Sequence, residues 1–209
     1  MRAEEGEGKG KRGRVGKRLI DYALAEGHTV RALARTPTKL APRAGLEVIA
    51  GDVLDPADVA RAITGSEVVL SAIGGAGLED PGEAQSQGMR NIVGAMQSLG
   101  VRRVLGVAGS GILDSINGGL RHDQSSFVAL FKPVSVRHME AWHAMRDSEL
   151  EWTMVAAPDL VDGERTGIYR TLTDRLPEKA SRISVEDVAD FMLKEMTARN
   201  HLRRRVGIG

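Results

Sequence analysis

Glu67-Val-Val-Leu-Ser-Ala-Ile73 is apolar almost without interruption, has the length of a strand and stops at Gly74-Gly75. A strand with one wet face alternates polar and apolar side chains; one without alternation is covered on both faces, as in a parallel sheet packed by helices. The neighbouring sequence supplies such helices. Val15, Leu19 and Ala23, with Ile20 and Leu24, recur at helical spacing up to Gly27, a C-cap residue, and predict a first helix from Val15 to Ala25. Thr29–Arg35 reads as a strand closed by Thr36-Pro37, Leu46–Ala50 as another ending at Gly51-Asp52, and Pro56–Thr64 as a short helix with proline in its first turn. Then come a helix over Glu83–Ser98 stopped by Gly100, a strand Arg103–Ala108 ending in Gly109-Ser110-Gly111, a helix Val136–Ser148 and a strand Trp152–Ala157. This alternation predicts an α/β fold: a doubly wound, open parallel sheet in a single domain, since 209 residues suffice for one good core and are short for two.

Two stretches break the rhythm. Residues 112–135 and 158–182 carry turn chemistry around a few apolar residues, and connections of this length in a compact domain are usually functional or mobile. Ser184-Val-Glu-Asp187 reads as a capping box opening a last helix, with the stripe Val185, Val188, Ala189, Met192, Met196 toward the core. Arg205–Ile208 is expected to add a final edge strand.

The first helix is preceded by Gly10-Lys-Arg-Gly13-Arg14-Val15-Gly16. Glycines spaced three apart at a helix start suit a pyrophosphate: the backbone comes close, and the free N–H groups and dipole of the helix favour negative charge. The bland alternative is a flexible basic lead-in. Met1–Arg18 holds seven Lys or Arg against three Glu, without the interleaved aromatic residues on which nucleic-acid bases would stack. Residues 1–9 contain two apolar residues and no β-branched one, so we expect a tail there and no regular buried strand, leaving the domain to residues 10–209. The residues before the glycine run therefore offer no apolar strand leading into it.

Acids and bases nearly cancel, at +1, so no global field argues for nucleic acid or membrane. The absence of cysteine excludes disulfides, thiolate catalysis and sulfur-ligated zinc, and fits a reducing, cytoplasmic setting. No apolar run reaches the roughly 18 residues of a membrane helix, and no H-E-x-x-H or similar metal constellation occurs among the five histidines.

Arg31-Ala-Leu-Ala-Arg35, Gly51-Asp52-Val53, Ser71-Ala72-Ile73-Gly74, Arg90-Asn91-Ile-Val, Val107-Ala-Gly-Ser110 and Ser184-Val-Glu-Asp-Val-Ala-Asp190 together resemble the atypical short-chain dehydrogenase/reductase group of NAD(P)H-binding proteins, with its flavin reductase/biliverdin reductase B and NmrA-like members. The resemblance runs from about Gly10 to the C-terminus and implies a Rossmann-like domain. It implies cofactor contacts at Gly10, Gly13, Arg14, Val15 and Gly16. At the end of the second strand of such a fold an acidic residue would meet the ribose of NAD; Arg35, with Lys39 nearby, suits a 2′-phosphate and hence NADP(H), a plain surface arginine being the alternative. Asp52 and Val53 resemble the pair bordering the adenine, and Asp52 is equally a turn or N-cap residue. Ala72, Ile73 and Gly74 would line the cofactor, or simply end a strand, and Ala157-Pro158-Asp159 would close over the nicotinamide.

The tyrosine of the wider superfamily, followed four residues later by lysine, is missing: Tyr22 is followed by Glu26, and Tyr169 by Thr173. Ser110 matches the group's active-site serine, with a turn hydroxyl as the alternative, and His138 matches a histidine near the substrate, with a solvent-facing histidine as the alternative. The resemblance thus implies an NADPH-dependent oxidoreductase passing hydride to a small-molecule acceptor, flat and conjugated, of the flavin, quinone or tetrapyrrole kind, with 112–135 and 158–182 as the acceptor pocket. The alternative is a non-catalytic, NmrA-like sensor of NADP(H); a nucleic-acid binder acting through the basic N-terminus is remote. The resemblance also implies a first, central strand immediately before the glycine run, which is degenerate or missing here; strands sit about 4.8 Å apart, so omitting it separates its neighbours by about 10 Å, and we expect NADPH binding below that of the family.

Overall fold

A computed structural model describes residues 13–209. Gly10, the tail and the expectation of a weak first strand fall outside those residues. The chain runs α1 (Arg14–Ala25), β1 (Val30–Ala34), β2 (Leu46–Ala50), α2 (Pro56–Ile63), β3 (Val68–Ser71), α3 (Ser86–Leu99), β4 (Arg103–Gly109), α4 (Lys132–Arg146), β5 (Glu151–Ala157), β6 (Asp159–Val161), β7 (Thr171–Thr173), β8 (Arg182–Ser184), α5 (Val185–Ala198) and β9 (Arg204–Ile208). Strands β3, β4, β5 and β9 lie parallel in that order, with Val69 opposite Val104, Leu105 opposite Thr153 and Val155 opposite Val206. Strands β1 and β2 form a parallel pair, and β6 pairs with β8. Among the described residues β1 and β3 are not hydrogen-bonded to each other.

Both faces of the sheet are dry, which is why its strands read as apolar runs. Val104, Trp152, Met154 and Ala156 pack against Val59, Met89, Ile92 and Met96 of α2 and α3 and Met145 of α4. The alternate residues Leu105, Val155 and Ala157 pack against Val15 and Leu19 of α1 and Val188 and Met192 of α5. Side chains pointing alternately to two helix layers make the architecture doubly wound.

Three details differ from the sequence reading. Strand β9 is an interior strand, because the exposed residues Thr171–Thr173 pair antiparallel on its outer side. Helix α4 starts four residues early, with Pro133 in its first turn, where a missing N–H costs nothing. Ser184 caps α5 by accepting from the Asp187 N–H at 3.0 Å, but Asp187 does not complete the box: its carboxylate takes the N–H groups of Thr166 and Gly167, 2.8 and 2.9 Å away. Residues 158–182, which contain β6 and β7, are thereby strapped to α5. Residues 112–135 are also built in: Ile112 and Leu113 are fully buried, and buried Arg205 of β9 donates to the Ile112 carbonyl, pairs with Asp114 at 2.7 Å and Asp174 at 3.1 Å, and stacks on Trp142.

Candidate active site

A cavity of about 310 Å³ opens where the carboxyl ends of β3, β4 and β5 meet the start of α1. This is where an open α/β sheet holds ligands. Its floor is Gly13, Arg14 and Val15; its walls are Ala72–Gly75 after β3, Val107–Gly109 of β4, and Ala157, Pro158 and Leu160; Gln85 and His138 close it. Gly13 is the N-cap of α1 with φ 74°, a left-handed conformation that glycine adopts without a Cβ penalty. The first N–H groups of α1 have no carbonyl within the helix to pair with, so they and the helix dipole present positive potential to the cavity. Gly16 lies one position behind this floor, where an added Cβ would touch the Ala72 side chain at 3.7 Å.

Arg14 does not point freely into the cavity. Its guanidinium donates to Asp162 Oδ1 at 2.9 Å and to the Leu160 carbonyl at 3.0 Å, spanning from α1 to the segment after β5. Arg35 and Lys39, beyond the end of β1, do not line the cavity; both are exposed, and among the described residues neither makes an ion pair or side-chain hydrogen bond. Asp52 also lies outside it, accepting from the Leu54 N–H at 3.0 Å within its own turn, and Val53 is packed into the core beside α3. Ser110 follows β4 at the start of a 3₁₀ turn; its hydroxyl has no partner among the described residues and it does not line the cavity. The stretch 112–135 sends no residue there either: Ile112 and Leu113 are spent in the core, while Ile116, Val128, Leu130 and Phe131 are exposed.

His138 is in place and its chemistry is constrained. Nδ1 accepts from the Gly109 N–H at 3.1 Å, and Nε2 lies 3.0 Å from the Gln85 side-chain amide. Burial pushes its pKa down to about 4, so the ring is neutral at neutral pH and holds no imidazolium proton to donate. Both tyrosines are elsewhere and occupied: Tyr22 donates to Glu186 at 2.8 Å and Tyr169 to Asp190 at 2.7 Å. Burial, and then the carboxylate, raise both phenols, Tyr22 to about 12, and neither lines the cavity. Gln85, Gly75 and Leu160 are lining residues that the sequence reading missed.

The residues present fit a dinucleotide. An open helix start offers N–H groups to a pyrophosphate, the strand ends Ala72–Gly74 and Val107–Gly109 offer a small-residue, largely apolar wall to a flat ring, and Arg35 and Lys39, without an ion pair among the described residues, stand past β1. No helix among the described residues is long and apolar enough to cross a membrane.

Comparison with known proteins agrees. The sequence model of a family described as NAD(P)H-binding matches residues 10–199. A 3-beta-hydroxysteroid dehydrogenase of Mycolicibacterium neoaurum is 30% identical over 121 residues, covering 51% of this chain and 33% of its own; the chain thus spans about a third of that relative's length. Among solved structures, a candidate exported protein of Burkholderia pseudomallei is 31% identical with a TM-score of 0.80, the match covering 94% of this chain and 95% of the other. A candidate epimerase of Bacteroides thetaiotaomicron is 28% identical, TM-score 0.82, over 94% and 92% of the two chains. A candidate NADH-flavin reductase of Streptococcus pneumoniae is 26% identical, TM-score 0.77, over 94% of each.

Proposed function

The chain belongs to the NAD(P)H-binding family, and from that premise we propose that it is an NADPH-dependent reductase of the atypical short-chain dehydrogenase/reductase type, passing hydride to a flat conjugated acceptor such as a flavin, quinone or tetrapyrrole. The observation that carries the proposal is the cavity itself, placed at the strand carboxyl ends and floored by the glycine-capped start of α1. Reduced nicotinamide supplies the hydride when bound. The chain does the rest. Gly13, Arg14 and Val15 hold the pyrophosphate with backbone N–H groups, and Arg35 and Lys39 meet the 2′-phosphate. Ala72, Ile73, Gly74 and the end of β4 keep water from the ring, with Pro158 closing over it. Ser110 offers a hydroxyl free of protein partners to an acceptor carbonyl. His138, neutral and engaged through both nitrogens, shapes the wall, and the acceptor takes its proton from solvent.

A second reading, a sensor of NADP(H) without catalysis, is favoured by one observation: both phenols are tied to carboxylates away from the cavity. Nicotinamide fluorescence titrations and an acceptor panel separate the two. We expect NADPH to bind more tightly than NADH, and Arg35→Ala to weaken NADPH by about tenfold or more, a charge-assisted bond of roughly 1.5–3 kcal/mol, while NADH is unaffected. NADPH binding without its oxidation by any flavin, quinone or tetrapyrrole would refute the reductase reading and support the sensor.

A further inference from the structure

Gln85 and His138 meet in the cavity wall, and their contact has only one consistent arrangement. The Gln85 amide nitrogen stands 3.0 Å from His138 Nε2, while its amide oxygen is buried without a hydrogen-bond partner. The Gly109 N–H donates to Nδ1, so Nδ1 carries no proton, and a neutral imidazole then carries its proton on Nε2. Two N–H donors cannot bond to each other. A half turn of the amide puts the oxygen on Nε2–H, an assignment that X-ray density rarely fixes and the bonding network does. The amine then takes the place of the orphaned oxygen. The Pro81 carbonyl oxygen, which accepts from the Ala76 N–H at 2.8 Å, stands in the same neighbourhood: a Cβ built on Gly75 would lie 3.0 Å from that place and 3.1 Å from the Pro81 oxygen.

We propose that Gln85 is a positioning residue: its side-chain oxygen accepts from His138 Nε2–H, locks the ring in that tautomer, and through the ring holds the Gly109 N–H at the carboxyl end of β4. The consequence for catalysis rests on the reductase reading; the tautomer does not. A ring with Nδ1 filled by a backbone donor and Nε2–H filled by an amide has neither a lone pair nor a proton to exchange with a ligand. The charged groups around it are matched among themselves. Arg137 and Glu140 of α4 pair at 2.9 Å, Arg14 pairs with Asp162 across the cavity, and Asp80, Glu83 and Arg90 act on the Arg137–Glu140 pair. None of them shifts the ring, on which burial alone acts.

The test is long-range proton–nitrogen NMR of the ligand-free full chain, with Gln85→Glu and Gln85→Met. In the wild type we expect the Nε2–H tautomer, neutral down to about pH 5. In Gln85→Glu the new carboxylate faces Nε2–H, and His138 should bind its proton at least about tenfold more tightly, one pH unit higher, adding a titration to the pH profile of acceptor reduction. In Gln85→Met, of equal length without an acceptor, Nε2–H should exchange with solvent faster, and kcat should fall with KM for NADPH nearly unchanged. An Nδ1–H tautomer, a wild-type titration near 6.5, or an unmoved titration in Gln85→Glu would overturn the proposal. Should Gln85→Glu not fold, the wild-type tautomer and the Gln85→Met exchange rate decide. Failure of the chain to bind NADPH at all would sink the reductase reading and leave the NMR result standing.

Discussion

Asp162→Asn isolates a competition for Arg14. The guanidinium at the first position of α1 lies 2.9 Å from Asp162 Oδ1, and the two side chains are 26% and 57% exposed. A pyrophosphate at the start of α1 draws on the same guanidinium and is repelled by the carboxylate. An ion pair this wet contributes about 0.2–1 kcal/mol. Asparagine keeps the size and a neutral acceptor oxygen but removes the charge, so NADPH affinity should rise by at most about fivefold, with about twofold as the middle of the range. Fluorescence titration resolves this, and salt supplies a second signature. The Debye length falls from about 10 Å at 0.1 M to about 3 Å at 1 M, so the gain should shrink at high salt. Arg14→Met should weaken binding and, in the double variant, reduce the benefit of Asp162→Asn to what direct repulsion by the carboxylate accounts for, because the rest acts through Arg14. An unchanged or weaker affinity in Asp162→Asn at 0.1 M salt, or the same gain without Arg14, would refute the argument.

Gly207 of β9 has no room for a methyl group: an added Cβ would sit 2.0 Å from the Arg175 carbonyl oxygen and 2.7 Å from its carbon, backbone atoms that no rotamer can move. Gly207→Ala should cost at least about 2 kcal/mol and lower Tm by about 4–8 °C in calorimetry, by forcing 174–176 off the sheet; an unshifted Tm contradicts this. Stability should also fall on mild acidification. His138 titrates at about 4 folded and 6.5 unfolded, so the unfolded chain binds the extra proton first, and stability present above pH 6.5 is lost as pH drops through about 4, up to roughly 3 kcal/mol from this group. Urea midpoints between pH 7 and 4 measure it, His138→Asn should flatten the slope, and burial of His122 and His143 adds to it in the same direction.

Much of this was legible because its signals are local. Apolar runs ended by glycine located β3 and β4, whereas Ala72–Gly74 and Pro158, which line the cavity at the strand ends, were named through the family resemblance. What was hidden depends on partners distant in sequence. Thr171–Thr173 is short and wholly exposed, and only its pairing with β9 makes it a strand and makes β9 interior. Gln85 sits in Glu83-Ala-Gln-Ser-Gln87 with nothing to distinguish it from Gln87; its role comes from a histidine 53 positions away. Asp187 reads as half of a capping box, yet its carboxylate is taken by a loop 20 residues upstream.

That last departure bears on the cavity mouth. Glu186, Asp187 and Asp190, all buried on the first two turns of α5, need partners to stay charged; Arg18 and Tyr22 of α1 serve Glu186, Lys194 pairs with Asp190 at 2.7 Å, and the strap supplies the rest. Thr166 and Gly167 donate their N–H groups to Asp187, and Arg165 donates to Asp190 at 2.8 Å and to Glu26 at 3.0 Å while lying over the Tyr22 ring, 4.2 Å from its centre. Tyr169 completes Asp190 and Tyr22 completes Glu186, which is what removes both phenols from any proton transfer. Asp162 leaves β6 three residues before Arg165, and β6 is itself pinned by pairing Leu160 with Ile183 at the foot of α5. Its carboxylate is therefore delivered to Arg14 from a segment tied at both ends. Less side-chain and backbone freedom remains to be lost when the pair forms, so the Arg14–Asp162 contact belongs in the upper part of the range for exposed pairs. The same buried acids that occupy both phenols thus bear on how firmly Arg14 is held.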